Sequence, residues 1–179
     1  GEEDAEECWS RLAETKKHLH LSDEEIALAE RNLVPLPLRA KPVSLTNRER
    51  EGTYFFERLK RFLFESDEKW SLIIIEPASH FFGDDCETDN KAATEWIKKI
   101  EQLSEAPGNP AVLFAHHTTK DSSKNPLGNQ HASRGSSAIT DNSRWQVLLR
   151  GDPEDPRLVS MQLVKANYVS RPKHPTQLW

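Results

Sequence analysis

The chain has 179 residues, 36% of them hydrophobic and 30% charged, which is the composition of one folded domain with a core. The net charge of −5 argues against a surface that binds nucleic acid as a whole, although a local basic loop or a multi-subunit site remains compatible with it. No apolar run is long enough for a bilayer and the first residues do not resemble a signal peptide, so we expect a cytoplasmic chain without a membrane partner. Cys8 and Cys86 form no CxxC pattern, and we expect two free thiols.

Three amphipathic helices are predicted in the first third of the chain. The first begins almost at residue 1, behind acidic residues that suit the positive end of a helix dipole. The second opens with a capping box formed by Ser22 and Glu25, and three prolines between residues 35 and 42 prevent its continuation. The third begins at about Glu51. The apolar positions recur at helical spacing: Trp9, Leu12 and Ala13 in the first helix, Ile26, Ala29 and Leu33 in the second, and Tyr54, Phe55, Leu59, Phe62 and Leu63 in the third.

A strand–helix–strand unit follows and predicts an α/β fold. SLIIIEP, residues 71–77, is apolar on both faces and indicates a central strand of a parallel sheet, and AVLFAH indicates a second one. Between them lies a helix with apolar residues at 93, 96, 97 and 100, the arrangement of a right-handed crossover. WQVLLR and LVSMQLVKANY, joined by the turn-rich GDPEDP, then predict an antiparallel hairpin. We therefore expect a single domain over residues 1–179, with a partly parallel sheet flanked by helices and ending in a β-hairpin.

Polar side chains follow both predicted parallel strands. Glu76 comes directly after one strand, and His116 and His117 end the other. Ligands of open parallel sheets bind outside the carboxyl ends of the strands, so neighbouring strands would place these residues at one crevice. Each residue also has a structural alternative, because a glutamate can end a strand and a histidine can be satisfied by nearby backbone. Their joint position favours a functional site.

A metal site is a second interpretation of the same region. His116 and His117 could join Asp84, Asp85 and Glu87 in a cluster of imidazoles and carboxylates. Adjacent histidines on a strand point to opposite faces, however, and cannot easily bind one ion. The sequence also contains no HxH, HExxH or CxxC pattern, which disfavours a dedicated zinc site.

Four stretches of the sequence resemble successive motifs of RecA-like ATPases. They are IIIEPASHFFGDDCETDNKAATEWIKKIEQL, AVLFAHHTTK, SRGSSAITDNSRWQVLL and VKANY. Among these ATPases, the motifs resemble those of the hexameric plasmid replicative helicases of the RepA type and their phage and prophage relatives. The similarity extends over nearly all of residues 1–179, with little contribution from residues 13–70. Its most specific part is RGSSAITDNSRW, close to a strand that ends in two histidines.

The resemblance implies roles at a nucleotide site. Glu76 takes the place of the acidic residue that ends the Walker B strand and orients Mg²⁺ and water, so that it would hold the metal indirectly. One of His116 and His117 resembles the sensor of the γ-phosphate. Lys165 and Tyr168 resemble a late interface pair near the nucleotide.

The resemblance also implies a loop that contacts DNA. Residues 118–133 are similar to the family's mobile loop, in which Lys120, Lys124 and His131 would meet the phosphate backbone of single-stranded DNA. Arg134 resembles an arginine finger that completes the ATP site of the neighbouring subunit. A surface loop without function, followed by a capping arginine, is the structural alternative.

Two features depart from the family. GxxxxGK[ST] occurs nowhere in the sequence, so the loop that cradles the phosphates is missing, and Glu76 stands where the family has aspartate. We therefore expect part of a longer protein, lacking the first strand, the phosphate loop and the second strand, with a core that is either stabilised by a partner or partly open. Glu3, or alternatively Glu2, would match the glutamate that activates the attacking water.

The intact protein is expected to use ATP and Mg²⁺, to bind single-stranded DNA and to form a homo-oligomer, as a hexameric ring. This chain alone is expected to bind no cofactor tightly and not to hydrolyse ATP. Two other functions remain open: a non-catalytic RecA-like module for DNA loading or partner binding, and a metal-dependent hydrolase that uses the acidic loop and the histidines.

Overall fold

The computed structural model describes residues 4–117, 137–152, 154–170, 172 and 174–178. The helices are α1 (Ala5–His18), α2 (Asp23–Asn32), α3 (Tyr54–Phe64), α4 (Asn90–Ser104) and α5 (Ser137–Asn142). The strands are β1 (Leu72–Ile75), β2 (Ala111–Phe114), β3 (Trp145–Gly151), β4 (Val159–Ala166) and β5 (Thr176–Leu178), and a short 3-10 helix, Ala78–Phe81, follows β1. None of the described helices has the length and hydropathy of a membrane span. The predicted α/β class with a parallel strand pair and a terminal hairpin is confirmed.

The first two helices form where their capping residues predict them. Asp4 caps α1 by accepting a hydrogen bond of 2.9 Å from the backbone N–H of Glu7. The predicted capping box of α2 is present, with Ser22 and Glu25 each bonding to the other's backbone N–H. Neither helix buries a residue.

Helix α3 begins after Thr53, whose hydroxyl accepts a hydrogen bond from the backbone N–H of Phe56. It buries Phe56 and Leu63 rather than the whole set expected from the sequence, and Tyr54 is 79% exposed. Together with α4, the 3-10 helix, α5 and the segment around Leu45, it encloses the main core. The buried members include Val43, Leu45, Phe56, Leu63, Ile75, Phe81, Trp96, Ile97, Ile100 and Ile139.

Strands β1 and β2 are parallel neighbours, and α4 is the crossover between them. Leu72 pairs with Ala111 and Ile75 with Phe114. The helix lies with its predicted apolar face toward the core, where Trp96 is fully buried and donates a hydrogen bond of 2.9 Å from Nε1 to the carbonyl of Phe81. The crossover therefore forms as its sequence pattern predicts.

The expectation that the parallel strands are buried on both faces is wrong for the described residues. Ile74 of β1 is 58% exposed and Leu113 of β2 is 56% exposed, whereas Ile75 is buried. Only one face of the strand pair packs on the core, because no described element covers the other. An exposed apolar face is unusual for parallel strands, which helices normally cover on both sides.

The final strands form an antiparallel sheet in the order β3–β4–β5, with an irregularity in β3 between Gln146 and Val147. The hairpin β3–β4 was predicted, whereas α5 and β5 were not. Helix α5 connects this sheet to the rest of the molecule because its residues Ala138 and Ile139 lie in the main core.

Candidate functional site

The ends of β1 and β2 bring Glu76 and the two histidines to one edge of the sheet. The pairing continues beyond the strands, since the N–H of Ala115 donates to the carbonyl of Ile75 at 3.0 Å. The N–H of Ala78 then donates to the carbonyl of Ala115 at 2.7 Å. Neighbouring parallel strands that run on in register place the residues after them side by side. The predicted juxtaposition is therefore present.

The two histidines differ in their surroundings. Burial alternates along 111–117, with His116 half-buried and His117 exposed. The ring of His116 meets Phe82 edge-on at 5.2 Å between centroids, and Phe82 in turn meets Trp96 at 4.9 Å. His116 therefore belongs to the aromatic side of the core, and His117 faces the other way.

Glu76 lies on the same face as His117. Cross-strand partners share a face of a sheet. The exposed face of the β1–β2 pair carries two such pairs, Leu72 with Ala111 and Ile74 with Leu113. Continuing that alternation past the strand ends places Glu76, Ala115 and His117 on the exposed face. Glu76 is itself exposed, which suits a carboxylate that holds a hydrated metal ion.

The acidic loop after β1 is engaged in contacts within the protein. Asp84 accepts a hydrogen bond of 2.6 Å from Arg48 Nε, and Asp89 accepts one of 2.6 Å from Arg50 Nη2. Asp89 also caps α4 through the N–H of Lys91. The two arginine–aspartate pairs connect the segment that contains Arg48 and Arg50 to the loop before α4. Within the ranges that the structure covers, no three His, Cys, Asp or Glu side chains form a group that could hold a metal ion. The described residues therefore do not support the metal site that a metal-dependent hydrolase would need.

Lys165 and Tyr168 occupy structural positions near α5. Lys165 Nζ donates to the carbonyls of Thr140 and Asp141, at 2.9 and 2.6 Å, at the end of α5. A cation at the C-terminal end of a helix donates to carbonyls that have no partner within the helix. It also interacts favourably with the negative end of the helix dipole. Tyr168 accepts a hydrogen bond from Arg144, whose guanidinium also lies over the tyrosine ring, 5.9 Å from its centroid. The contribution of Arg144 was not predicted, because residues 24 apart in sequence leave no local pattern.

Several predicted site residues lie outside the described residues. They are Glu2, Glu3, Lys120, Lys124, His131 and Arg134.

The described fold is an α/β domain with Glu76 and the two histidines at one edge of its parallel strand pair. A family model described as AAA domain matches residues 1–123, which is more than half of the chain. The chain belongs to this family, which is P-loop ATPase-like and in general uses nucleotide and Mg²⁺. No curated protein matches the chain.

The residues of this chain fit only one part of such a site. The exposed carboxylate of Glu76 suits the metal, and the matched range includes both histidines. The backbone cradle for the phosphates has no counterpart, because the sequence contains no phosphate-loop motif.

Proposed function

We propose that the chain is part of an ATP-dependent DNA helicase or DNA-dependent ATPase of the hexameric RepA type. In this proposal, polypeptide outside these 179 residues supplies the phosphate loop. The observation that carries the proposal is the shared edge of Glu76 and His117 in a chain of the AAA domain family. The sequence resemblance around residues 133–149 supports the finer assignment.

The geometry favours different roles for the two histidines. A residue that senses phosphate must face the open side of the strand ends, where Glu76 is exposed. His117 satisfies this condition, whereas the ring of His116 packs against Phe82. We assign the sensor role to His117 and a packing role to His116.

The remaining roles in the proposal follow the sequence. Residues 118–133 lead directly from His117 to Arg134, so a change at the histidine is transmitted along one continuous segment. Lys120, Lys124 and His131 would bind the backbone of single-stranded DNA, and Arg134 would reach the site of a neighbouring subunit in the ring. In the intact assembly, Arg134→Ala should lower turnover by about 10³ or more and leave nucleotide affinity nearly unchanged.

A non-catalytic module for DNA loading or partner binding is the second candidate. Two observations favour it: the sequence has no phosphate-loop motif, and glutamate occupies the position where the family has aspartate. Such a module would keep the fold and the DNA loop without turnover.

ATP turnover by the polypeptide of the complete gene distinguishes the two candidates. The helicase proposal predicts turnover that single-stranded DNA stimulates. It also predicts that Glu76→Gln lowers turnover at least about 100-fold, since the carboxylate loses its charge at the metal, while Glu76→Asp retains most of it. Absence of turnover in the wild type, with DNA affinity intact, would favour the non-catalytic module. Equal turnover in wild type and Glu76→Gln would contradict the role of Glu76.

A further inference from the structure

The segment that leaves β1 folds back on the end of β2. Its residue Ala78 donates a backbone hydrogen bond of 2.7 Å to the carbonyl of Ala115. After the 3-10 helix, the ring of Phe82 reaches the ring of His116, and the two meet edge-on at 5.2 Å between centroids. Phe82 therefore links the segment that follows Glu76 to the chain that leaves β2.

Contacts with the core hold Phe82 in place from its other side. Its ring is 8% exposed and meets the fully buried ring of Trp96 edge-on, at 4.9 Å between centroids. The carbonyl of Phe81, the preceding residue, accepts hydrogen bonds of 2.9 Å from Trp96 Nε1 and from the backbone N–H of Leu45. Edge-on aromatic pairs are directional and contribute beyond the area that they bury. Phe82 is therefore fixed both by its own ring and by the backbone before it.

The direction of His117 depends on where the ring of His116 lies. Successive side chains of an extended chain point to opposite faces, so a His116 ring on the core directs His117 to the exposed face, where Glu76 lies. Both histidines lie beyond Phe114, the last residue of β2, and the backbone bonds that continue the pairing involve Ala115. The ring contact of His116 therefore anchors the chain one residue closer to His117.

We propose that Phe82 is the positioning residue of the two strand-end histidines. It keeps the ring of His116 on the core and thereby holds His117 on the face of Glu76. Phe82 acts through His116 and has no chemical step of its own. The role of His117 as phosphate sensor rests on the proposed function, whereas the orientation of the two histidines does not depend on it.

Labelling of the histidines with diethyl pyrocarbonate tests the orientation in the chain without nucleotide. Tandem mass spectrometry of peptides measures the labelling rate of each histidine. In the wild type, His117 should react at least about tenfold faster than His116, whose ring is half-buried against Phe82. Phe82→Leu fills much of the space but removes the aromatic ring, and it should raise the rate of His116 at least about fivefold. Phe82→Ala should have the same effect with a larger loss of stability.

Phe55→Leu is the matched control for Phe82→Leu. Phe55 is partly buried against the same core, and its ring meets that of Phe81 at 6.2 Å between centroids. The control should leave both labelling rates as in the wild type. The proposal is overturned if His116 and His117 react equally in the wild type, if His116 stays protected in folded Phe82→Leu, or if the control exposes it equally. Circular dichroism establishes that each variant is folded, and Phe82→Leu decides if Phe82→Ala does not fold.

A kinetic measurement separates positioning from a general loss of stability. In the polypeptide of the complete gene, Phe82→Leu should lower DNA-stimulated ATP turnover by about tenfold or more, since a displacement of about 1 Å has effects of this size. KM for ATP should change by less than about twofold. In a His117→Asn background the same substitution should have no further effect, because the group that it positions is absent.

The two measurements fail separately. An equal loss of turnover in both backgrounds would overturn the action of Phe82 on His117. If the wild type shows no turnover, the helicase proposal fails, and the labelling rates alone decide whether Phe82 positions the histidines.

Discussion

Glu76 and His117 share the exposed face of the β1–β2 pair, although they are 41 positions apart in the sequence. The relationship arises because two parallel strands run in register and because burial alternates along both. His116, one position earlier, is directed by the same alternation to the aromatic core. The two adjacent histidines should therefore respond very differently to substitution.

His116→Ala should lower the free energy of unfolding by about 1–2 kcal/mol, because it removes an edge-on contact with Phe82 beside the core. His117→Ala should change it by less than about 0.5 kcal/mol, as is usual for an exposed residue. Urea unfolding followed by tryptophan fluorescence measures both. A larger loss for His117→Ala would contradict the assignment of the two faces.

Lys165→Met should destabilise the attachment of the hairpin by about 1–2 kcal/mol, because two carbonyls at the end of α5 lose a charged donor. Hydrogen exchange in residues 137–142 should accelerate in the same variant. Lys98→Met is the control, since Lys98 forms an exposed ion pair of 2.8 Å with Glu95 and its loss should cost less than about 0.5 kcal/mol. Equal effects of the two substitutions would refute the capping role of Lys165.

The thiols of Cys8 and Cys86 should differ in reactivity. Burial, with a smaller effect of Glu87, raises the pKa of the Cys86 thiol to about 12, so at pH 8 it is protonated and enclosed. Iodoacetamide at that pH should label Cys8 first, as mass spectrometry of peptides can measure. Because the pKa is raised in the folded state, the contribution of Cys86 to stability is complete below its ordinary value of 9.0 and is lost as the pH rises toward about 12. Labelling of both thiols at one rate in the folded chain would show that Cys86 is accessible.

Local patterns in the sequence account for much of this fold. The capping box of Ser22 and Glu25 and the helical spacing around Trp96 are short-range features, and both predict the observed helices. The juxtaposition of Glu76 with the histidines follows from a general property of parallel sheets. The difference between His116 and His117 does not, because it depends on which face of the strands the core covers. Helix α5, with six residues, is too short to show a period, and the cap that Lys165 provides is a contact between distant parts of the chain.

The proposed contact of Lys120 and Lys124 with DNA was inferred from the sequence and can be tested by substitution. In the intact assembly, replacing Lys120 and Lys124 by alanine should weaken single-stranded DNA binding. It should also flatten the dependence of log K on log salt by roughly 0.7 for each lost phosphate contact. Fluorescence anisotropy across a salt series measures both quantities, and ATP turnover without DNA should persist. If affinity and slope remain those of the wild type, these lysines do not contact DNA.

In the proposed helicase, the nucleotide site and DNA communicate through the segment that begins at His117. The most direct test is ATP turnover by the polypeptide of the complete gene, with and without single-stranded DNA, in the wild type and in His117→Asn. His174→Asn, at an exposed position near β5, is the control. We predict that His117→Asn binds nucleotide as the wild type does and loses most of the stimulation by DNA, while the control keeps it. Full stimulation in His117→Asn would contradict the claim.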